Sequence, residues 1–205
     1  MKLVPKGIEN WFLRVTLPVV SLLMRGGVSP NLVTTLGALV VIISGVAFGL
    51  GWVRWGGGLL LLSGVIDTLD GQVARLGGQS TRFGAFYDST LDRVGDGVTF
   101  FGIAIWMLTT PGISHPIAWT VVCMSAVLTA MVVSYQRARA EGLGLECKVG
   151  LAQRAERLVG VGIPSLLLGP GQDGWVLKLV VAVLAALSTV TVVQRFIYIY
   201  RITRT

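Results

Sequence analysis

Long apolar runs, uncharged but for Lys178 in the last, alternate with short polar segments along this chain. The apolar runs cover residues 31–51, 55–66, 97–114, 116–135, 158–171 and 175–194. A helix needs about 20 mostly apolar residues to cross the hydrocarbon of a bilayer, so the pattern predicts six transmembrane helices. The fifth is the weakest, because Pro164 and the turn at Gly169, Pro170 and Gly171 shorten it. The second run does not stop at a turn. It passes directly into VIDTLDGQVARLGG, and the segment AFYDSTLDRVGD then leads into the third run. Two apolar helices therefore each carry acid where they approach one another.

Composition supports the membrane reading. Hydrophobic residues make up 53% of the 205 and charged residues only 13%, against roughly 25% charged in soluble domains, and the mean hydropathy is +0.76. The fold class expected is an all-α, polytopic membrane protein. Residues 1–28 read differently from the spans. Arg14 and Arg25 are interleaved with Trp11, Phe12 and leucines, and Pro18 interrupts the run. That pattern suits an amphipathic helix lying in the membrane interface, with a frayed leader as the alternative. The expected organisation is thus a juxtamembrane helix over 1–28 and a six-helix domain over 29–205. MKLVPKGIENW lacks the apolar core and cleavage site of a signal peptide.

Charge orients the bundle. With a cytoplasmic N-terminus, six spans leave only Arg54 and Lys178, of the 17 Lys and Arg, at the outer ends. This positive-inside bias predicts a multi-pass plasma-membrane protein with both termini and the acidic site facing the cytoplasm. The net charge of +7 then reflects topology and anionic headgroups, and no nucleic-acid partner is expected. Cys123 and Cys147 fall in different settings and are not expected to pair. His115, in a short outer loop, carries no predicted role.

An acidic residue at a helix centre costs about 2.5–3.5 kcal/mol on insertion scales, so four facing lipid would cost roughly 10–14 kcal/mol. They must face something polar. Asp67, Asp70, Gly71, Ala74 and Arg75 share one helix face, and Gly84, Asp88 and Asp92 share another at steps of four. Across a short antiparallel link, Asp70 rises about 7–8 Å above Arg75 and Asp88 about 9 Å above Arg82, while Asp67 and Asp92 lie deeper, at roughly 12 and 15 Å. Four carboxylates converge. Their all-oxygen donor set, with no His or Cys nearby, suits Mg²⁺ or Mn²⁺ and not Zn²⁺. The competing reading is a set of ion pairs with Arg75, Arg82 and Arg93.

The stretch D67-T-L-D70-G71-Q-V-A74-R75, eight residues, then G84-A-F-Y-D88-S-T-L-D92 resembles the signature of the CDP-alcohol phosphotransferase family at all eight fixed positions. SPNLVT at the head of the first span is also similar. The resemblance implies a six-helix fold, often dimeric, with two divalent ions and a site open to the cytoplasm. It implies transfer of the phosphoalkyl group of a CDP-linked donor onto an alcohol, with release of CMP. Asp67, Asp70 and Asp88 are then the first-choice metal ligands, and Asp92 touches the second ion and matches the aspartate taken as the catalytic base. Gly71 and Arg75 would hold the CDP end, with Asn31, Thr34 and Thr81 as further candidates. Asp96 continues the stripe outside the motif and is expected to serve packing or support. An interfacial helix and a site at headgroup depth suit CDP-diacylglycerol, although the family also uses soluble CDP-choline or CDP-ethanolamine with a lipid acceptor.

The acceptor must be read from the second half. Arg137, Arg139, Lys148, Arg154 and Arg157 cluster around an inner loop, and Arg195 interrupts the last apolar run. An arginine within an apolar helix should find an anionic partner, and a phosphorylated acceptor supplies one. Ser134, Arg137, Arg154 and Arg195 are the expected acceptor residues, with Arg139, Lys148 and Arg157 in reserve. The run from Ser134 to Gly142, followed by Arg154, Glu156 and Arg157, resembles the actinobacterial phosphatidylinositol-phosphate synthases and implies an inositol phosphate acceptor. Two alternatives stay open: glycerol 3-phosphate as acceptor, giving a phosphatidylglycerol-phosphate synthase, and a divalent-cation transporter. The Gly-rich spans suggest a homodimer.

Overall fold

A computed structural model describes residues 6–151 and 154–204, with side chains from Arg14 onward; Trp11 and Phe12 lie outside the described side chains. The described chain is helical throughout: α1 (Lys6–Arg25), α2 (Pro30–Gly49), α3 (Val53–Leu76), α4 (Arg82–Thr109), α5 (Pro116–Glu141), α6 (Arg154–Leu168), a single tight turn (Gln172–Gly174) and α7 (Trp175–Thr203). The ends follow from local chemistry. Ser29 caps α2 by accepting from the Leu32 amide at 3.3 Å, with Pro30 in the first turn. Thr81 caps α4 through the Gly84 amide at 2.9 Å. Between them, Gly78 takes a left-handed φ of 64° in the short link from α3 to α4. That link keeps the two acidic helices antiparallel neighbours in sequence.

The six helices α2–α7 form a closed ring. In order around it stand α2, α4, α5, α7, α6 and α3, each packed on the next, and α1 lies against α3. The apolar core fills the ring with Phe48, Ile103, Met107, Leu177 and Val181. Cys123 and Cys147 are buried and unpaired. Close approach of the helices relies on small residues, as expected where lipid supplies no hydrophobic drive between helices. A methyl group at Gly57 would lie 2.7 Å from the Gly162 carbonyl and from the Leu166 amide, which sets the α3–α6 spacing. Gly45 and Gly102 do the same for α2 and α4. Away from the acidic seam, Asp173 staples two loops by accepting from Ser114 N and Oγ, both at 2.6 Å, and from Lys178 Nζ at 2.8 Å.

Among the described residues, three helical segments are long and apolar enough to cross a membrane: Pro30–Gly49, Pro116–Glu141 and Gln172–Thr203. α3 and α4 carry the aspartates and arginines of the seam, and α6 has only 15 residues. The helices that bear chemistry are thus the ones whose charge or length sets them apart from an ordinary span. The N-terminal helix leaves Val15, Leu17 and Leu22 exposed while Thr16 and Val20 are buried, and Thr16 accepts from Gln72 Nε2 of α3 at 2.7 Å.

Gly57→Ala should lower the unfolding midpoint in detergent, through a destabilisation of about 1–3 kcal/mol from overpacking. Gly58→Ala is the control: its new methyl meets only the flexible end of Leu166 at 3.5 Å and should leave the midpoint unchanged. Equal midpoints for the two variants would contradict the close approach of α3 and α6.

Candidate metal centre

The seam between α3 and α4 brings Asp67, Asp70 and Asp88 together, with one carboxylate oxygen from each lying within 4.8 Å of the others. Asp92 lines the same cleft of about 270 Å³, together with Thr34, Gly37 and Ala38 of α2, Ser63 of α3 and Arg154 of α6. Helical periodicity accounts for the convergence, since each stripe turns one face of its helix to the seam. Asp70 Oδ2 and Asp88 Oδ1 are buried and have no hydrogen-bond partner among the described residues. Buried carboxylate oxygens without a donor are costly, and a cation is what they lack.

One cation is supplied by the chain itself. Arg154 Nη1 lies 2.8 Å from Asp67 Oδ1, and its Nη2 lies 2.9 Å from Asp92 Oδ1. Of the arginines weighed as ion-pair partners from the sequence, Arg93 reaches only its neighbour Asp92, at 3.4 Å. Arg75 is exposed, and its guanidinium lies against Gly71, where a methyl group would come within 3.1 Å of Nη1. A methyl at Gly84 would meet Thr81 Oγ1 at 3.1 Å and Asn31 Oδ1 at 3.3 Å. Thr34 lines the cleft with Asp70, its hydroxyl donating to Pro30 O at 3.1 Å. Gly71 with Arg75 on α3, and Asn31 of α2 with Thr81 and Gly84 at the head of α4, thus form two small clusters.

The acceptor candidates divide. Arg154 joins the carboxylates. Arg137 is exposed and pairs with Glu141 at 2.9 Å, and the Ser134 hydroxyl donates to Ala130 O of its own helix at 3.0 Å. Lys148 pairs with Glu146 at the surface, and Arg139 is exposed. Arg195 is only 4% exposed, but the anionic partner expected for it is replaced by backbone: Nε donates to Val149 O at 2.8 Å and Nη1 to Val133 O. A carbonyl within α5 and one in the loop that follows it thus hold the guanidinium in place. Asp96 pairs with Arg157 at 2.5 Å. Neither the Arg154 bridge nor the Asp96 pair was foreseen. The signal was present, since Arg154 and Arg157 stand at i, i+3 at the head of an apolar helix and Asp92 and Asp96 at i, i+4 on another.

Residues 27–193 match the sequence profile of the CDP-alcohol phosphatidyltransferases. The chain belongs to the CDP-alcohol phosphatidyltransferase family. It is 39% identical over 185 residues to the phosphatidylinositol phosphate synthase of Mycobacteroides abscessus, covering 90% of this chain and 83% of that one. It is 40% identical over 169 residues to the archaetidylinositol phosphate synthase of Methanothermobacter thermautotrophicus, covering 82% of each. The crystal structure of the Mycobacterium tuberculosis phosphatidylinositol phosphate synthase with CDP-DAG bound superposes with a TM-score of 0.79 at 32% identity, over 89% of this chain and 92% of that one. The same synthase in complex with manganese and citrate gives 0.80 at 31% identity, over 89% and 88%.

The residues present fit divalent cations. Their donors are all carboxylate oxygens, the preference of hard ions such as Mg²⁺ and Mn²⁺, and two of those oxygens are buried without a partner. Asp67→Asn, Asp70→Asn and Asp88→Asn should each weaken Mn²⁺ binding by more than about 100-fold, beyond the 10- to 100-fold caused by losing an outer-shell partner. Titration of the detergent-solubilised protein, followed by Mn²⁺ electron paramagnetic resonance, reads this without turnover. Arg154→Gln should tighten Mn²⁺ binding, because it removes the cation that now bridges Asp67 and Asp92. Wild-type affinity in the Asp variants would remove the metal centre.

Proposed function

We propose that this chain transfers the phosphatidyl group of CDP-diacylglycerol to a hydroxyl of an inositol phosphate, giving phosphatidylinositol phosphate and CMP. The observation that carries the reading is the cleft in which the carboxylates of α3 and α4 meet the Arg154 guanidinium of α6. Anionic ligands for metals and a cation for an anionic acceptor stand in one place. The names of the relatives above support both substrates.

In this reading Asp67, Asp70 and Asp88, with Asp92 beside them, would hold two divalent ions, which when bound would supply charge neutralisation for the pyrophosphate and polarisation for the incoming hydroxyl. Arg75 places positive charge beside the CDP diphosphate. Gly71, with no side chain, leaves room for the nucleotide, and Asn31, Thr34 and Thr81 offer hydrogen bonds from the adjoining helix ends. The acceptor oxygen attacks the phosphorus of the phosphatidyl group, the bond from that phosphorus to the CMP oxygen breaks, and Asp92 takes the hydroxyl proton. Arg154 orients Asp92 before the acceptor arrives and meets the acceptor's phosphate afterwards through charge-assisted hydrogen bonds. Ser134, Arg137 and Arg195 complete the acceptor side. For Arg195 that role requires exchanging carbonyl partners for a phosphate.

The setting belongs to the same proposal. The ring α2–α7 supports six spans over residues 29–205, and the exposed apolar residues of α1 support an interfacial helix within residues 1–28. The distribution of Lys and Arg supports a cytoplasmic site and cytoplasmic termini. A homodimer is retained, but Gly45, Gly57, Gly102 and Gly162 are used within the chain, so a second copy would meet the exposed apolar faces instead.

Purified protein in mixed micelles with CDP-diacylglycerol and Mg²⁺ should release CMP with inositol phosphate, and at least tenfold more slowly with glycerol 3-phosphate, inositol or serine. Turnover with glycerol 3-phosphate alone would replace the acceptor and leave the reaction. Cation flux into proteoliposomes without CMP release would replace the reaction. Asp92→Asn should still bind CDP-diacylglycerol while transfer falls by about 10²–10⁴-fold, the span typical of losing a general base. Loss of donor binding in that variant would make Asp92 chiefly a metal ligand.

A further inference from the structure

Asp96 lies outside the family signature, one helical turn beyond Asp92 on α4, and its partner Arg157 lies one turn beyond Arg154 on α6. The two ion pairs form a ladder with rungs at Asp92–Arg154 and Asp96–Arg157. Both rungs run between helices that stand opposite one another in the ring, since α4 packs on α2 and α5 whereas α6 packs on α3 and α7. The second rung is the deeper. Its side chains are 3% and 13% exposed, the Arg157 Nη2 to Asp96 Oδ2 distance is 2.5 Å, and it sits in a cavity of about 300 Å³ whose other lining is largely apolar, including Val41, Phe100 and Val161.

A buried ion pair is weak evidence for stability, because desolvation offsets most of the attraction. What the pair does is fix distance. α6 is short, with Pro164 inside it, and its close approach to α3 at Gly162 lies two turns beyond Arg154. Across the ring, the first turn of α6 is tied to α4 by these two rungs.

We propose that Asp96 and Arg157 are a positioning pair for the acceptor side of the reaction: by holding the first turn of α6 at a set distance from α4, they place the Arg154 guanidinium over the carboxylates where the acceptor's phosphate is received. This rests on the functional reading above. It also takes Arg157 out of the set of direct phosphate contacts, and it gives the stripe's last aspartate a purpose that the signature does not assign.

The test is a double-mutant cycle. Asp96→Asn and Arg157→Gln each leave one buried charge without its partner and should lower the unfolding midpoint, whereas the double variant removes both charges and should recover it. The KM for inositol phosphate should nevertheless stay raised by about tenfold or more in the double variant, since misplacement of a positioning group is costly, with the KM for CDP-diacylglycerol within about twofold of wild type. Arg157→Lys, which can keep the pair, should stay near wild type in both. Spin labels at Ser89→Cys on α4 and Ala155→Cys on α6, both exposed positions, in a background with Cys123→Ala and Cys147→Ala, read the α4–α6 distance directly. That distance should be narrow in the otherwise native protein and broadened or shifted in the double variant. An acceptor KM that recovers together with the midpoint, or an unmoved distance distribution, overturns the proposal. Absence of wild-type turnover with inositol phosphate would instead count against the functional reading, and the spin-label distances would still decide whether the pair positions α6.

Discussion

Like charges gathered at the seam of two helices repel one another, and burial leaves little water to relieve them. Asp67, Asp70, Asp88 and Asp92 are in that position, and the rest of the structure answers it. Two of their oxygens are buried without a partner, and Arg154 crosses from α6 to bridge two of the four carboxylates. Arg154 and the longer Arg93–Asp92 pair at 3.4 Å set two guanidinium groups against four carboxylates. Divalent cations would complete the neutralisation, and a site able to hold them could also hold a pyrophosphate.

The ring of helices follows from the same demand. Four carboxylates can share one cleft only if α3 and α4 are presented side by side with little bulk between them and α2. Small residues allow this, with Gly45 and Gly102 bringing α2 onto α4 and Gly57 and Gly162 bringing α3 onto α6. Closing the ring then sets α6 opposite α4, which is how a helix more than sixty residues downstream delivers its cation to the seam. The Asp173 staple and the apolar core at Phe48, Ile103 and Met107 hold the remainder of the bundle without touching that chemistry.

What could be read in the sequence was local. Apolar runs located the helices, although α3, α4 and α7 each extend well past their runs at the polar end, and four-residue spacing put the carboxylates on facing stripes, because helical period is a property of neighbouring positions. Long-range partners were not legible. Arg154 was expected at the acceptor's phosphate, but its bridge to Asp67 and Asp92 was not expected, since nothing local says which arginine crosses a ring. Asp96 was expected to have a supporting role; the matched spacing of Asp92 with Asp96 and of Arg154 with Arg157 hinted at two rungs, but spacing does not say which helices face one another. Arg195 was assigned an anion because an intramembrane guanidinium needs acceptors, and the carbonyls of Val133 and Val149 serve as well. The glycines suggested a second copy, whereas those that set helix spacing act within one chain. Spans were the hardest to count, because the acid that makes α3 and α4 functional also lowers their apolar character.

The central claim is that the α3–α4 seam is built around two divalent ions. Anomalous diffraction at the manganese edge, from crystals of the full chain grown with Mn²⁺, tests it most directly. Two peaks bounded by Asp67, Asp70, Asp88 and Asp92, with Arg154 withdrawn from between Asp67 and Asp92, are the predicted result. A seam without manganese in which Arg154 still bridges the carboxylates would contradict it.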